Sequence, residues 1–222
     1  MKVALAFDVY GTLIDTMGVT VELESMVGDQ ATSFSTLWRT KQLEYTWRYG
    51  LMNVYRDFRV CTQQALEFTC EQMELALTPE QKNRLMQIYL ELPVFDDVVA
   101  GLEKLQTRDV SMYAFSNGVP DDLNVLLINA GIAGFFDGVV SVNDISTFKP
   151  NPETYFHFTE RAKLPMSQCW LVSSNGFDVC GAKAAGMNAV WMQRNKAVKF
   201  DPWETQPDKI CDNFQELAEI FS

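Results

Sequence analysis

Residues 3–7 of the chain, Val-Ala-Leu-Ala-Phe, are all apolar and run directly into Asp8. A short unbroken apolar run of this kind reads as a strand covered on both faces, as in a parallel sheet between helices. Val9-Tyr10-Gly11-Thr12-Leu13 follows, placing a glycine turn and a hydroxyl just beyond the carboxylate. In open α/β sheets, ligands bind at the carboxyl ends of the strands. Tyr10, two places after Asp8, stands where a second acid could have been. The pattern gives a carboxylate able to attack a substrate, without a neighbouring acid to protonate a leaving group.

The rest of the chain fits around that strand. Residues 14–30 read as a loop and linker with a short helical stretch, and residues 31–92 as helix without a convincing strand. Phe34, Leu37, Trp38, Lys41 and Tyr45 recur at helical spacing. A second helix is expected over residues 63–76. A third opens at Thr78-Pro79-Glu80-Gln81, with a Thr cap, a Pro at the first helical position and a Gln three residues after the cap, and runs to about Glu91. From Val94 onward helices and strands alternate, beginning with a helix capped by Asp96 or Asp97. Strands are expected at 110–115, 138–142, 169–172 and 188–192, and helices after Pro120 (ended by Gly131), through Ala162, over 177–185 and over 214–221. The fold class is therefore α/β: a Rossmann-like parallel sheet core, formed by 1–14 and 93–222, with a linker and helical cap inserted at 15–92.

Bulk properties narrow the function. A formal net charge of −11 argues against nucleic acid, which calls for a basic footprint. No run approaches the roughly 20 apolar residues of a membrane span, and the opening strand lacks a signal-peptide layout; a cytoplasmic protein is expected. Cys61, Cys70, Cys169, Cys180 and Cys211 are odd in number and form no C-x-x-C pair, so free thiols are expected. His157, the single histidine, cannot build a multi-histidine metal site and reads as a helix-face residue.

Four expected strand ends carry polar groups: Asp8 and Thr12; Ser116 and Asn117; Lys149; and Ser173, Asn175 and Asp178. With these in place the chain resembles the haloacid dehalogenase superfamily and, within it, the (S)-2-haloacid dehalogenases. Phe7-Asp8-Val9-Tyr10-Gly11-Thr12-Leu13, Ser116-Asn117-Gly118, Lys149-Pro150 and Ser173-Ser174-Asn175-Gly176-Phe177-Asp178 resemble its four core motifs. The segment Leu37-Trp38-Arg39-Thr40-Lys41-Gln42-Leu43-Glu44-Tyr45-Thr46-Trp47 resembles the subfamily's cap helix. Phosphatases of the superfamily carry an acid where Tyr10 stands and a Mg²⁺-holding acid in the region of Ser174 and Asn175. Halide departs as a stable anion, so neither acid is required for dehalogenation.

The resemblance implies a role for each residue. Asp8 is the nucleophile, forming an ester at C2 of a small 2-haloacid with inversion. Lys149 sits beside it, since a fixed ammonium favours a carboxylate's charged form. Asp178 and Asn175 position and activate the hydrolytic water, while Thr12 and Ser173 hold the carboxylates. Ser116 and nearby amides receive the substrate carboxylate, with Tyr155 in the same network. Arg39, Asn117 and the ring edge of Phe177 accept the halide. Tyr10, Leu43 and Phe58 wall the alkyl side. No metal and no cofactor are expected, and a homodimer is implied. The other readings are a phosphatase-like or phosphonate-cleaving relative, a dehalogenase preferring haloacetate or fluoroacetate, and a non-catalytic binding protein on the same scaffold.

Overall fold

A computed structural model describes residues 2–222. Six strands form one sheet: β1 (Val3–Phe7), β2 (Val110–Ser116), β3 (Gly138–Ser141), β4 (Cys169–Ser173), β5 (Asn188–Met192) and β6 (Lys209–Cys211). Their order is β3-β2-β1-β4-β5-β6 and every pairing is parallel. The chain therefore reverses its direction of travel across the sheet at β1, and Asp8 emerges at that switch point. Ala4, Leu5, Ala6 and Phe7 have no exposed surface, as a central strand covered on both faces requires. Gly11 turns the chain away from β1 at φ 84°, a left-handed backbone that suits glycine.

Between β1 and β2 lie α1 (Met17–Val27), α2 (Ala31–Met52), α3 (Phe58–Gln72) and α4 (Pro79–Ile88), which pack on one another, and then α5 (Val98–Gln106). The helices α6 (Pro120–Asn129), α7 (Pro152–Ala162) and α8 (Gly176–Ala184) alternate with the later strands, and α9 (Phe214–Ile220) closes the chain. The capping box of α4 is present: the Thr78 hydroxyl accepts from Gln81 N at 3.2 Å and Gln81 Oε1 accepts from Thr78 N at 2.8 Å. Gly131 follows α6 at φ 72°. All five thiols are free and buried. Among the described residues no helix is long and apolar enough to cross a membrane.

Several expectations are corrected. The linker after β1 is mostly α1, eleven residues long. The second cap helix starts at Phe58 rather than at residue 63, because Asp57 caps it by accepting from Val60 N at 2.9 Å. The third helix stops at Ile88. Asp97 precedes α5 without capping it; its carboxylate instead accepts from Arg194 Nη1 at 2.7 and 2.8 Å and from Phe214 N at 2.7 Å. Strand β6 was not anticipated. The buried stripe of α2 runs through Phe34, Trp38, Gln42 and Thr46, so Lys41 and Tyr45 flank it.

The α1–α4 block is seated over the carboxyl edge of the sheet. Tyr10 stacks on Phe58 of α3 at 6.0 Å, and Trp47 of α2 meets Phe177 edge-on at 5.4 Å. Tyr55 donates to Asn143 Oδ1 at 2.8 Å, and Arg59 grips Asp122 of α6 with two hydrogen bonds of 2.5 Å.

Candidate active site

Asp8 lies one residue beyond β1, its N–H donating to Val172 O of the neighbouring strand at 3.0 Å. Its two oxygens are unequally engaged. Oδ2 accepts from Thr12 Oγ1 at 3.0 Å, Ser173 Oγ at 3.1 Å and Asn175 Nδ2 at 2.6 Å. Among the described residues Oδ1 accepts only from Lys149 Nζ, at 3.3 Å. The first three donors sit just past β1 and at the end of β4, so adjacent parallel strands deliver them to one point.

Lys149 is 1 % exposed, which demands that every ammonium proton find an acceptor. The three acceptors are Asp8 Oδ1, the Phe115 carbonyl at 2.8 Å and Asp178 Oδ2 at 2.9 Å. The ammonium also lies 4.0 Å from the centre of the Phe115 ring. The sequence pattern predicts Lys149 at a strand end. In fact β3 stops at Ser141 and a 3₁₀ turn over Val142–Ile145 intervenes, so a loop carries Lys149 back to the sheet edge.

Asp178, in the first turn of α8, has no exposed surface. Its Oδ1 accepts from the Tyr155 hydroxyl of α7 at 2.8 Å. Burial pushes the Asp178 carboxyl up from the usual carboxylate range and the nearby Asp8 charge adds to this, while Lys149 and Tyr155 pull it back only in part. The Tyr155 phenol is itself pushed well up, chiefly by burial and then by Asp178. Ser116, at the end of β2, accepts from Gly118 N at 3.1 Å, and Asn117 Oδ1 accepts from Lys149 N at 3.0 Å.

Asp8, Thr12, Lys149, Tyr155, Ser173, Asn175 and Asp178 are thus joined in one hydrogen-bonded cluster. Ser116 and Asn117 border it through the Phe115 carbonyl and Lys149 N. Arg39, Leu43, Phe58 and Phe177 are not bonded to it. Arg39 is half-buried on α2 and its field acts on the Tyr10 and Tyr89 phenols, against the burial that raises both. Leu43 is half-buried on the same helix, and Phe58 touches the site through Tyr10. His157 is on α7, its Nε2 3.5 Å from Asp144 Oδ2 and away from the cluster. Sequence reasoning missed Gln42, Thr62 and Tyr89; spacing of four from Phe34 and Trp38 was the available signal for Gln42.

Cavities lie where the α1–α4 block meets the core, and Asp8 lines none of the following. One, of about 300 Å³, includes Tyr10, Phe58, Met86 and Tyr89. A second, of about 530 Å³, includes Trp47, Phe148, Pro150, Phe177 and Trp203. A third, of about 440 Å³, includes Tyr49, Tyr55, Asn151 and His157. Asp8 keeps 8 % of its surface exposed, so the cluster is largely but not wholly covered.

Magnesium does not suit these donors. Mg²⁺ is held by carboxylates and water in octahedral geometry, whereas Ser174 and Asn175 supply no carboxylate and the Lys149 ammonium already separates Asp8 from Asp178. Among the described residues no three His, Cys, Asp or Glu side chains are grouped to hold a metal.

A family model of haloacid dehalogenase-like hydrolases matches residues 3–186, and the chain belongs to that family. Among its relatives, an (S)-2-haloacid dehalogenase of Pseudomonas sp. (strain YL) is 34 % identical over 217 residues, covering 98 % of this chain and 93 % of the relative. A haloacetate dehalogenase H-2 of Moraxella sp. (strain B) is 36 % identical, covering 92 % and 91 %. The solved structure of the L-2-haloacid dehalogenase from Xanthobacter autotrophicus with chloropropionic acid covalently bound superposes with a TM-score of 0.90 at 30 % identity, over 99 % of this chain and 98 % of that one.

Proposed function

We propose that the chain hydrolyses (S)-2-haloalkanoic acids to 2-hydroxy acids. The observation that carries this reading is the asymmetry of Asp8, with three donors on Oδ2 and one on Oδ1. Oδ2 is immobilised, and Oδ1 keeps lone pairs for the carbon of a substrate. Attack of Oδ1 on C2 forms a C–O bond as the carbon–halogen bond breaks, and the halide leaves with the bonding pair. Backside displacement inverts C2. No proton donor is required at this step, which suits the apolar face of Tyr10.

Water then adds to Cγ of the Asp8 ester, with Asp178 as the base that takes one of its protons. Collapse breaks the bond between Cγ and the ester oxygen. That oxygen leaves on the product and takes a proton, Asp8 returns as a carboxylate, and one proton is released for each halide. In this account Ser116 and the neighbouring amides hold the substrate carboxylate. The half-buried Arg39, the Asn117 amide group and the Phe177 edge receive the halide, and Tyr10, Leu43 and Phe58 exclude water from the alkyl side. The covalent complex of the Xanthobacter relative supports an ester route.

A single turnover in ¹⁸O-water with enzyme in excess tests the proposal. Label is expected in the peptide carrying Asp8; label found only in the product would overturn it. A preference for haloacetate is the second reading, favoured by the Moraxella relative, and the ratio of kcat/KM for chloroacetate and (S)-2-chloropropionate decides it. The reading also includes a homodimer, supported by the exposed Trp47, Leu51 and Met52 at the end of α2, and a cytoplasmic location, supported by five unpaired thiols. Light scattering on the purified chain checks the dimer.

A further inference from the structure

We propose that Gln42 is a positioning residue that orients Arg39 while leaving its charge uncompensated for the departing halide. This deepens the reading above and rests on Arg39 as halide acceptor. Gln42 has no exposed surface, although it is polar and lies on a cap helix. Its Oε1 accepts from Arg39 Nη1 at 2.6 Å, and its Nε2 donates to Thr62 Oγ1 at 2.7 Å. Thr62 Oγ1 in turn donates to the Phe58 carbonyl at 2.7 Å.

The direction of this chain is fixed. A carbonyl can only accept, so the single Thr62 proton goes to Phe58 O, and the Thr62 oxygen can only accept from Gln42. The NH₂ group of Gln42 therefore faces Thr62 and its oxygen faces Arg39. A guanidinium has donors alone, so it is received by the one end of the amide able to bind it. Trp38 Nε1, donating to Thr62 O at 2.8 Å, ties the same turn of α3 to α2.

The chemistry of the partner matters as much as its position. Arg48, Arg59, Arg84 and Arg194 each sit against a carboxylate. Arg39 is half-buried and its hydrogen bond goes to a neutral amide. Gln42 holds the guanidinium without cancelling its charge, and a full positive charge partly shielded from water favours an anion. Glutamate at this position would keep the hydrogen bond and neutralise the cation.

The test is inhibition by bromide, with (S)-2-chloropropionate as substrate, on the full chain and on Gln42→Glu, Thr62→Val and Arg39→Met. Gln42→Glu is expected to raise the bromide inhibition constant about tenfold, equivalent to about 1.4 kcal/mol, and to lower kcat more than it changes KM. Thr62→Val, which removes the group that fixes the amide's direction, is expected to raise the constant about threefold, the scale of one hydrogen bond. A merely structural role would lower the melting temperature and leave bromide inhibition alone. Weakened bromide binding in Arg39→Met with no change in Gln42→Glu overturns the positioning role and leaves the halide site standing. Unchanged bromide inhibition in Arg39→Met, which lacks the charge, overturns the halide-acceptor reading, and the role of Gln42 with it. If Gln42→Glu does not fold, Thr62→Val decides between the same outcomes.

Discussion

The Lys149 ammonium donates to Asp178 Oδ2 at 2.9 Å, inside a site where both side chains are almost wholly buried. The same ammonium reaches Asp8, so a single cation serves two carboxylates. Removing it would strand negative charge away from water, which is far costlier than never having buried the pair. Lys149→Met, which keeps the length of the side chain, is expected to cost about 3–5 kcal/mol. In that variant the Asp178 carboxyl, already raised, rises further. The native state then binds a proton more tightly than the unfolded chain does, so stability falls as pH increases. Urea midpoints should be higher at pH 5 than at pH 7 for Lys149→Met relative to the wild type. A variant that loses stability equally at both would count against this account of the cluster.

Tyr155 bonds to the ionised form of Asp178 and so opposes the burial that raises its carboxyl. A base works only above its own pKa. The acid limb of kcat/KM is therefore expected above the ordinary carboxylate range in the wild-type protein. Tyr155→Phe removes a bond that favours the charged form, and the limb should move to still higher pH. It should also cost about 1–3 kcal/mol of stability, because a buried acceptor loses its donor. A pH–rate profile for both proteins gives the answer, and a limb that moves downward would be inconsistent with Asp178 as the base.

Gly181 offers a way to disturb the same bond without substituting either partner. It lies on α8, where an added Cβ would collide with the Tyr155 hydroxyl and stand 2.5 Å from Pro150 Cβ. Tyr155 is bonded to Asp178 and has no exposed surface. Gly181→Ala is expected to lower kcat in the same pH-dependent manner as Tyr155→Phe, and to destabilise by about 1–3 kcal/mol through overpacking. Combining the two substitutions should give less than the sum of their separate effects on kcat/KM, since they act on one bond. Full additivity would separate Gly181 from the Tyr155–Asp178 contact.

The sheet was readable where local pattern and tertiary role coincide. β1 is apolar throughout because both its faces are covered, and the turn after it announces itself by glycine and a hydroxyl. The capping box of α4 is likewise written within four residues. Elements decided by distant partners were not readable. β6 is three residues long with Lys209 and Ile210 exposed, and only its pairing with β5 makes it a strand. Asp97 looks like a helix cap, yet its carboxylate is claimed by Arg194, 97 residues away. In the site, the acid, lysine and hydroxyls could be picked out because polar groups after apolar runs are conspicuous. Gln42 could not, because a polar residue on a helix reads as surface until its neighbours show that it is buried. The loop that returns Lys149 to the sheet edge is also invisible in sequence, being fixed by acceptors on β2, beyond β1 and on α8.

The donor arrangement around Asp8 bears on metal dependence. A divalent cation needs open carboxylate oxygens, and Oδ2 is surrounded by three donors that would have to be displaced together. The other oxygen faces Lys149, whose charge would repel a second cation. Ser174, in the region where phosphatase relatives carry an acid, instead donates to the Gly11 carbonyl at 2.7 Å and offers no anionic ligand. Chloride release from (S)-2-chloropropionate is therefore expected to be the same after exhaustive EDTA treatment and after addition of millimolar Mg²⁺. Phosphate release from a general phosphatase substrate should stay at background under both conditions. Activity that disappears with EDTA and returns with Mg²⁺ would place the chain with the metal-dependent phosphatases and refute the roles assigned to Asp8, Ser174 and Asn175.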